Sequence, residues 1–351
     1  MGGIARIRRK REGMEKSRIR INSAYVFVLL LACMVILAWI VPDLGAKGGV
    51  LHSEISTRVA VFLIFVMQGL SLPTREVVKG FVQYRLHMAI QIFIFGFIPA
   101  LAYVALLFPR HFLRYDLYVG FLFLAGVPTT ISTSIVFTTE AGGASAVALF
   151  NASLSNILGV FIVPLWISLQ VSQKTAIPPL DLLIWKIMLV ILLPFAIGQG
   201  LRIGVRSWAD AHKRNMSRIS MGLILFIVYA AFCNSVKSDI WQSLMAREIA
   251  LAFTFTLFLL LMVMLAGKIW WHTAGYEREQ GIAFFFSATQ KAISTGVPMA
   301  YAIFASGTVP VALIILPLLF YHPLQLLLGS VIVAKLRRSA ADSRRVTPAG
   351  D

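Results

Sequence analysis

The sequence predicts an all-α membrane protein, and three observations carry that prediction. Of the 351 residues, 58% are hydrophobic and 13% are charged, whereas a soluble domain has about 45–50% apolar and about 25% charged residues. The mean hydropathy is +0.82. The apolar residues form long runs, such as Tyr25 to Val41 and Ile249 to Ala266, close to the roughly 20 residues with which a helix crosses a bilayer. This composition excludes an ordinary soluble enzyme, a disordered chain and a nucleic-acid-binding module.

Ten apolar segments are the predicted transmembrane helices. In chain order they cover residues 24–42, 58–72, 87–108, 117–138, 144–169, 182–201, 219–236, 249–267, 280–304 and 308–334. The second is the shortest and needs a thinned bilayer or long side chains that reach its ends. Because ten is even, both chain termini are expected on the same side of the membrane.

Charge predicts which side that is. The formal charge is +17, and basic residues cluster in an N-terminal segment (1–23) and a C-terminal tail (337–351) on either side of the ten-helix domain (24–336). The loops on the same predicted side carry more Lys and Arg than the opposite loops, which is typical of cytoplasmic loops. Arg110 and Arg114 argue against this orientation. We expect a multi-pass protein of a bacterial inner membrane or a plasma membrane, with both termini cytoplasmic and anionic lipid, not nucleic acid, as the partner of the basic segments.

Two of the predicted helices contain residues that a lipid-facing helix avoids. The fourth reads GVPTTISTSIVFTTE and the ninth SATQKAISTGVP. Proline removes a backbone donor, and unwound backbone at bilayer depth is tolerated only inside protein or beside a wet cavity, where its free carbonyls and helix ends bind ions and substrates. The candidate ligands are Pro128, Thr129, Thr130, Ser132, Thr133 and Ser134 in the fourth helix, and Thr289, Gln290, Lys291, Ser294 and Thr295 in the ninth, where Gly296 and Pro298 are the breakers.

The two interruptions fall at matching places in the chain. Each is the fourth helix of a five-helix half, in residues 24–170 and 182–336. An odd number of helices per half makes the second half enter from the opposite side, so the sequence predicts two inverted five-helix repeats. Paired Gly/Pro-interrupted segments in two halves indicate the binding site of a secondary transporter. The alternative is a pair of simple proline kinks with Ser and Thr bonded back to their own helices.

At these residues the chain resembles the bile acid:sodium symporter family, from about Ala24 to about Leu336. Four segments carry the likeness: GLSLPTREVVKG, HMAIQIFIFGFIPA, EAGGASAVALFNASLSNILGVFIVPL and SATQKAISTGVPMA. The chain looks closest to the orphan branch that includes the seventh human member. The resemblance implies broken fourth and ninth helices that cross in a core domain beside a panel domain of helices one, two, six and seven. It also implies two sodium sites by the crossing and transport of an organic anion by alternating access.

The family's ligands carry over only in part. Thr133 and Ser134 stand where sodium-coupled members have Ser-Asn, and the fifth helix offers Asn151, Ser153, Ser155 and Asn156. The resemblance thus implies a sodium site at Thr133, Ser134, Asn151 and Gln290. Thr289 or Gln290 replaces the family's ninth-helix Glu, however, so coupling to Na⁺, to H⁺ or to no ion stays open.

Lys291 has three interpretations. Its ammonium could replace a bound sodium ion, could balance the charge of an anionic substrate, or could reach the interface or pair structurally. If it is desolvated, this lysine could also act as a proton carrier. Gln68 and Gln91 are predicted to make interhelical hydrogen bonds in preference to ligand contacts. Glu140 is predicted as a solvated helix-end residue, with a gate or proton site as the alternative.

Two other classes compete with a transporter. An intramembrane enzyme is not predicted, because the sequence has no paired Asp, Ser/His dyad or HExxH motif placed at a shared depth. No P-loop or Rossmann fingerprint is present either, and Cys33 and Cys233 form neither a CxxC pair nor a disulfide framework. No cofactor is therefore expected beyond a coupling ion. The second competitor is a regulator or scaffold that keeps the fold without transport and affects cation homeostasis. The sequence predicts neither the substrate's identity nor the oligomeric state.

Overall fold

The protein is helical throughout the part of the chain that the structure describes. A computed structural model describes residues 25–71, 83–109, 112–171, 185, 188–238, 246–305 and 309–346, and these ranges contain no strand. The predicted basic segment 1–23 lies outside the described residues. So do the loop residues Arg75, Lys79 and Lys174 and the end of the predicted tail, 347–351.

Among the described residues, seven helices belong to the first half of the chain and five to the second. The first half contains α1 (Tyr25–Ile40), α2 (Pro42–Gly45), α3 (Ser53–Ser71), α4 (Tyr84–Leu106), α5 (Tyr115–Gly126), α6 (Ile131–Glu140) and α7 (Ser145–Val171). The second half contains α8 (Leu193–Lys237), α9 (Ala246–Thr273), α10 (Arg278–Thr289), α11 (Ile293–Phe304) and α12 (Val311–Val346). Single π-helical turns, Phe93–Phe97 within α4 and Met188–Leu192 before α8, directly precede a proline-containing turn, where the missing N–H disturbs the regular ladder.

Six described helices are long and apolar enough to cross a membrane, and the bent pair α5–α6 makes a seventh. The protein is therefore an integral multi-pass membrane protein. The difference from ten predicted spans has three sources. Helix α1 is apolar but shorter than the others, α10 and α11 are separate short helices, and α8 joins the predicted sixth and seventh spans.

The joined helix α8 corrects one prediction. Residues 202–218 were expected to form a cytoplasmic loop, but they are helical, with one non-helical residue at Val205 (φ −114°, ψ 26°). Gly198 packs on Gly69, and the hydroxyl of Ser220 lies 3.8 Å from the sulfur of Met67. A straight helix between residues 198 and 220 would be about 33 Å long. Since both residues contact the last turn of α3, α8 folds back on itself, as two spans with a loop would.

Contacts at the helix ends join residues that the charge argument placed on the same side. Lys237 pairs with Asp43 at the predicted outer side. At the predicted cytoplasmic side, Arg337 pairs with Glu140 at 2.7 Å, and Arg278 donates to the carbonyl of Leu336. Glu140 is therefore ion-paired at a helix end. Helix α12 continues to Val346, so the predicted tail from 337 is helical over its described part.

The interior is densest around the two broken pairs of helices. All residues from 119 to 130 and from 281 to 293 are buried. Helix α12 packs on α5, α9 on α10, and α7 on both α6 and α10. The helices α3 and α8 pack on each other and meet this interior at α11. The breaks in both pairs therefore lie in the interior of the protein.

Candidate functional site

The fourth and ninth predicted helices are both broken. Helix α5 ends at Gly126, α6 begins at Ile131, and the two are bent by 55°. In the second pair the break occupies residues 290–292, between α10 and α11. Gly296 and Pro298 are the residues predicted to break the ninth helix. Both lie inside α11, so the break precedes the residues that predicted it.

The two breaks are bonded to each other through the backbone. The amide of Ala292 donates to the carbonyl oxygen of Pro128 at 2.8 Å. Side-chain amides from neighbouring helices hold each break. Asn156 of α7 donates to the carbonyl of Thr129 at 2.9 Å. Gln325 of α12 accepts from the backbone N–H of Lys291 at 2.8 Å and donates to its carbonyl at 2.9 Å. Backbone groups that leave a helix are thereby satisfied without water, as burial requires.

The ammonium of Lys291 lies between two helix ends. Its Nζ donates to the carbonyl oxygens of Ala125 at 2.7 Å and Val127 at 2.8 Å, which belong to the C-terminal end of α5. Lys291 itself follows the C-terminal end of α10 and is 1% exposed. Each helix C-terminus carries about half a negative charge. The ammonium therefore lies on the negative end of α5, while the backbone of Lys291 continues from the end of α10. The side chain does not reach the interface; its contacts are the pairing inside the protein that the same interpretation included.

Aromatic donors complete both helix ends. The indole N–H of Trp166, on α7, donates to the carbonyl of Leu122 in the last turn of α5 at 3.0 Å. The hydroxyl of Tyr321, on α12, donates to the carbonyl of Thr289 at the end of α10 at 2.8 Å. In each half, the helix that follows the broken pair thus supplies one aromatic donor and one amide.

The four predicted sodium ligands are only partly brought together. Thr133 donates to the side-chain oxygen of Gln290 at 2.5 Å. The hydroxyl oxygen of Ser134 lies 3.4 Å from the hydroxyl oxygen of Ser287 on α10. Asn151 lies in a different cluster, where its amide contacts the side chains of His87 at 2.8 Å and Gln91 at 3.1 Å.

The chemistry of this donor set does not fit a sodium ion. No Asp or Glu is buried in the described part of the chain. The oxygen of Gln290 already accepts from Thr133, and its side-chain nitrogen, a donor, is buried without a partner. The charge next to it is the cation of Lys291. The described residues also hold no group of three or more His, Cys, Asp or Glu side chains suited to a metal.

The remaining predicted residues divide by exposure. Ser132 and Ser294 are exposed, each in the first turn of α6 or α11. The others are buried: Pro128, Thr129, Thr130, Ser153, Ser155, Thr289 and Thr295. The Thr129 hydroxyl is unpartnered, whereas Thr295 donates to the side-chain oxygen of Asn156 at 2.6 Å. Ser155 bonds back within α7. In the two broken helices, Thr139 and Thr289 bond back to the carbonyls of Ile135 and Phe285, so the back-bonding of the kink alternative is present at these residues.

Gln68 connects α3 to the second broken pair. A proline at position 298 has no N–H for the carbonyl of Ser294, four residues earlier. The side-chain amide of Gln68 donates to that carbonyl at 3.2 Å and lies 3.4 Å from the hydroxyl of Thr295. The interhelical bond predicted for Gln68 is therefore present, and it replaces a bond that α11 cannot make itself.

Sequence reasoning missed Trp166, Tyr321 and Gln325. None of the three is among the predicted site residues, and Tyr321 and Gln325 lie in a span identified only by its apolar residues. Gln325 had a detectable signal, because the pattern His-Pro-Leu-Gln places two polar side chains inside a helix that needs neither. His322 and Gln325 are in fact bonded to each other at 2.8 Å.

Two buried helix breaks that are bonded to one another beside a lysine are typical of the binding sites of membrane transporters. The chain belongs to the SBF-like CPA transporter family, whose model matches residues 26–338. It is 31% identical to an uncharacterized protein of Pseudomonas aeruginosa over 90% of this chain and 94% of that protein. It is 30% identical to the sodium/bile acid cotransporter 7 of the mouse, over 84% and 87% of the two chains. The zebrafish protein of the same name is 29% identical over 89% and 93%.

Proposed function

We propose that this protein is a secondary transporter that moves an organic anion by alternating access, with the ammonium of Lys291 in place of a coupling cation. The position of that ammonium, on the carbonyls of Ala125 and Val127, is the observation that carries the proposal. Converging carbonyls at half-helix C-termini are where other transporters bind their coupling ion. Here the chain brings its own cation, which cannot dissociate.

The electrostatics oppose a sodium ion at the same place. Two unit charges 4 Å apart repel by about 4 kcal/mol at an effective dielectric constant of about 20. That repulsion would weaken sodium binding beside Lys291 about a thousandfold. A neighbouring carboxylate would offset it, but none is buried among the described residues.

The opposite helix ends favour an anion. The N-termini of α6 and α11 each carry about half a positive charge and free N–H groups. Two buried donors beside them, the Thr129 hydroxyl and the Gln290 amide nitrogen, have no partner. Ser132 and Ser294 are exposed in the first turns. These groups suit the carboxylate or sulfonate of an organic anion, and the names of the mouse and zebrafish relatives, which refer to bile acid, support this class.

Melting and flux measurements test the proposal. Purified protein is screened by melting temperature against a panel of organic carboxylates and sulfonates, including taurocholate, in NaCl, KCl and choline chloride. The best ligand is then measured for saturable uptake into proteoliposomes in the same three salts and with an imposed pH gradient. We expect a stabilising anion and equal uptake in all three salts. Sodium-dependent uptake would overturn the role of Lys291, and uptake driven by the pH gradient would assign H⁺ coupling instead. If no anion binds or moves, the protein is a regulator on a transporter fold.

A further inference from the structure

The part of α8 after the kink carries charge that the transport site does not use. Residues 202–218 contain five Lys and Arg residues and one acidic residue, Asp210. Arg202 is buried, where it donates to the carbonyl of Leu70 and pairs with Asp210 at 2.7 Å. This arrangement fixes the segment to the end of α3. Asp210 is the only acidic residue of the segment. With Arg202 paired to it, the segment keeps a net positive charge.

The outer side of this segment is basic. Arg206, Lys213, Arg214 and Arg218 are exposed. Arg206 lies 3.8 Å from Asp210. Across the described chain, neither Arg214 nor Arg218 forms an ion pair. Two guanidinium groups are thus presented outward with their donors available for an anion.

Large apolar side chains stand beside these charges. Ile203 is 87% exposed, Trp208 is 52% exposed and stacks on His212 at 4.7 Å, and Ile219 is 55% exposed. The inward face is small and apolar, with Ala209 and Met216 packed on Leu70. A helix with this combination of exposed indole, aliphatic and guanidinium groups lies in the boundary between acyl chains and headgroups.

We propose that residues 203–219 form a binding surface for anionic phospholipid headgroups of the cytoplasmic leaflet. Arg214 and Arg218 contact the phosphates, while Ile203, Trp208 and Ile219 enter the acyl region. Charge complementarity selects this partner, because the surface is basic and the cytoplasmic leaflet carries the anionic lipids. The adjoining apolar side chains select a lipid over a soluble anion. The proposal does not depend on the transported substrate.

The test compares lipid retention by matched charge variants. Full-length protein is placed in nanodiscs of equal parts phosphatidylcholine and phosphatidylglycerol, released into detergent, and its bound lipids are counted by native mass spectrometry. We expect Arg214→Gln/Arg218→Gln to retain about tenfold less phosphatidylglycerol than the wild type. The control Arg58→Gln/Arg247→Gln removes two exposed arginines of the opposite predicted side and should retain wild-type amounts. Arg214→Lys/Arg218→Lys keeps the charge and should restore most of the retention.

Three results would overturn the proposal. Unchanged retention in Arg214→Gln/Arg218→Gln would show that these residues do not bind lipid. An equal loss in the control would show that net charge alone acts. Displacement of phosphatidylglycerol by millimolar inorganic phosphate or by an acidic polypeptide would assign the surface to a soluble anion or a protein. A variant that elutes as an aggregate is replaced by the single change Arg218→Gln, whose retention is judged by the same criteria.

Discussion

At the scale of single residues, the site is organised by groups that satisfy backbone left over from broken helices. Lys291 donates to two carbonyls at the end of α5, Gln325 pairs with both backbone groups of Lys291, and Gln68 replaces the N–H that Pro298 lacks. A buried polar group left unpaired costs about 1–3 kcal/mol. Each of these side chains therefore has a structural energy large enough to measure.

Replacing Lys291 by methionine should destabilise the protein. The substitution keeps most of the length of the side chain but leaves the carbonyls of Ala125 and Val127 without their donor, at a cost of about 2–4 kcal/mol. The melting temperature in detergent should fall by several degrees, and anion transport should be lost. Lys268→Met removes an exposed lysine and should change neither quantity. An unchanged melting temperature in Lys291→Met would contradict the role assigned to the ammonium.

A graded series at Gln325 should separate its three bonds. Gln325→Leu removes the contacts with the backbone of Lys291 and with His322, and we expect a loss of about 2–4 kcal/mol. Gln325→Glu keeps the acceptor for the Lys291 N–H and should fall between wild type and Leu. The control Gln83→Leu changes an exposed glutamine. Equal melting temperatures for all three variants would show that the break holds without Gln325.

The sequence identifies Lys291 as a candidate functional residue, but it does not reveal the carbonyls that its side chain contacts. A cation inside an apolar run is visible in the sequence, since such a charge is costly in a membrane. Its acceptors are main-chain carbonyls on another helix, more than a hundred residues away, and no residue type encodes a carbonyl. For the same reason, the sodium ligands carried over by resemblance included Asn151, whose side chain bonds to His87 and Gln91.

At the scale of helices, α3 and α8 are held together by glycine contact. A Cβ at Gly69 would collide with the carbonyl oxygen of Phe195, and one at Gly198 with that of Val66. Backbones this close are typical of small residues at membrane helix interfaces. The same crossing places Gln199 and Arg202 on the last carbonyls of α3. Two glycines and two polar side chains therefore determine where α8 bends back.

Alanine substitutions of glycines at and near this crossing should differ sharply in their effect on stability. Gly69→Ala and Gly198→Ala force backbone against backbone, so we expect a loss of several kcal/mol or a failure to fold. Gly200→Ala, two residues away, meets nothing within 4 Å and should be neutral or stabilising by up to about 1 kcal/mol, because alanine favours the helix. Fluorescence-detected size-exclusion chromatography after heating ranks the three. Equal stability of Gly198→Ala and Gly200→Ala would refute the close crossing.

Helix interruptions were predictable from proline and glycine only where those residues cause them. Pro128 lies inside the first break, which was placed correctly. In the second pair, Pro298 lies in a regular helix because Gln68 bonds to the freed carbonyl. The break at residues 290–292 is stabilised instead by tertiary bonds from Gln325. Residues 202–218 were predicted as a loop because hydropathy detects long apolar runs, and this basic helical segment contains none.

At the scale of the whole molecule, contacts at the helix ends define two opposite faces. Asp43 and Lys237 meet on one face, and Glu140, Arg278 and Arg337 meet on another. The charge distribution along the sequence predicts these as the outer and the cytoplasmic side. This prediction rests on the enrichment of Lys and Arg in short cytoplasmic loops. How the two halves are arranged relative to each other depends on helix packing, and the charge distribution carries no information about packing.

Cysteine labelling should reveal this orientation. In a background with the exposed Cys33 replaced by alanine, Lys47→Cys should react with a membrane-impermeant maleimide added to intact cells. Arg214→Cys should react only after the membrane is permeabilised. Both original side chains are exposed, so reactivity reports the side of the membrane and not burial. The reverse pattern would invert the predicted topology, and labelling of both in intact cells would exclude it.

The fixed ammonium also determines how the membrane voltage acts on transport. In the proposed cycle, the loaded carrier holds the charge of Lys291 and one bound anion, and the empty carrier returns with the lysine charge alone. Each cycle then displaces one net negative charge, whereas a symporter with two sodium ions per anion displaces one positive charge. Moving a charge through 100 mV corresponds to about 2.3 kcal/mol, or about fiftyfold in concentration. A cell that is negative inside would therefore drive this carrier toward export of the anion, the opposite direction from sodium-driven uptake.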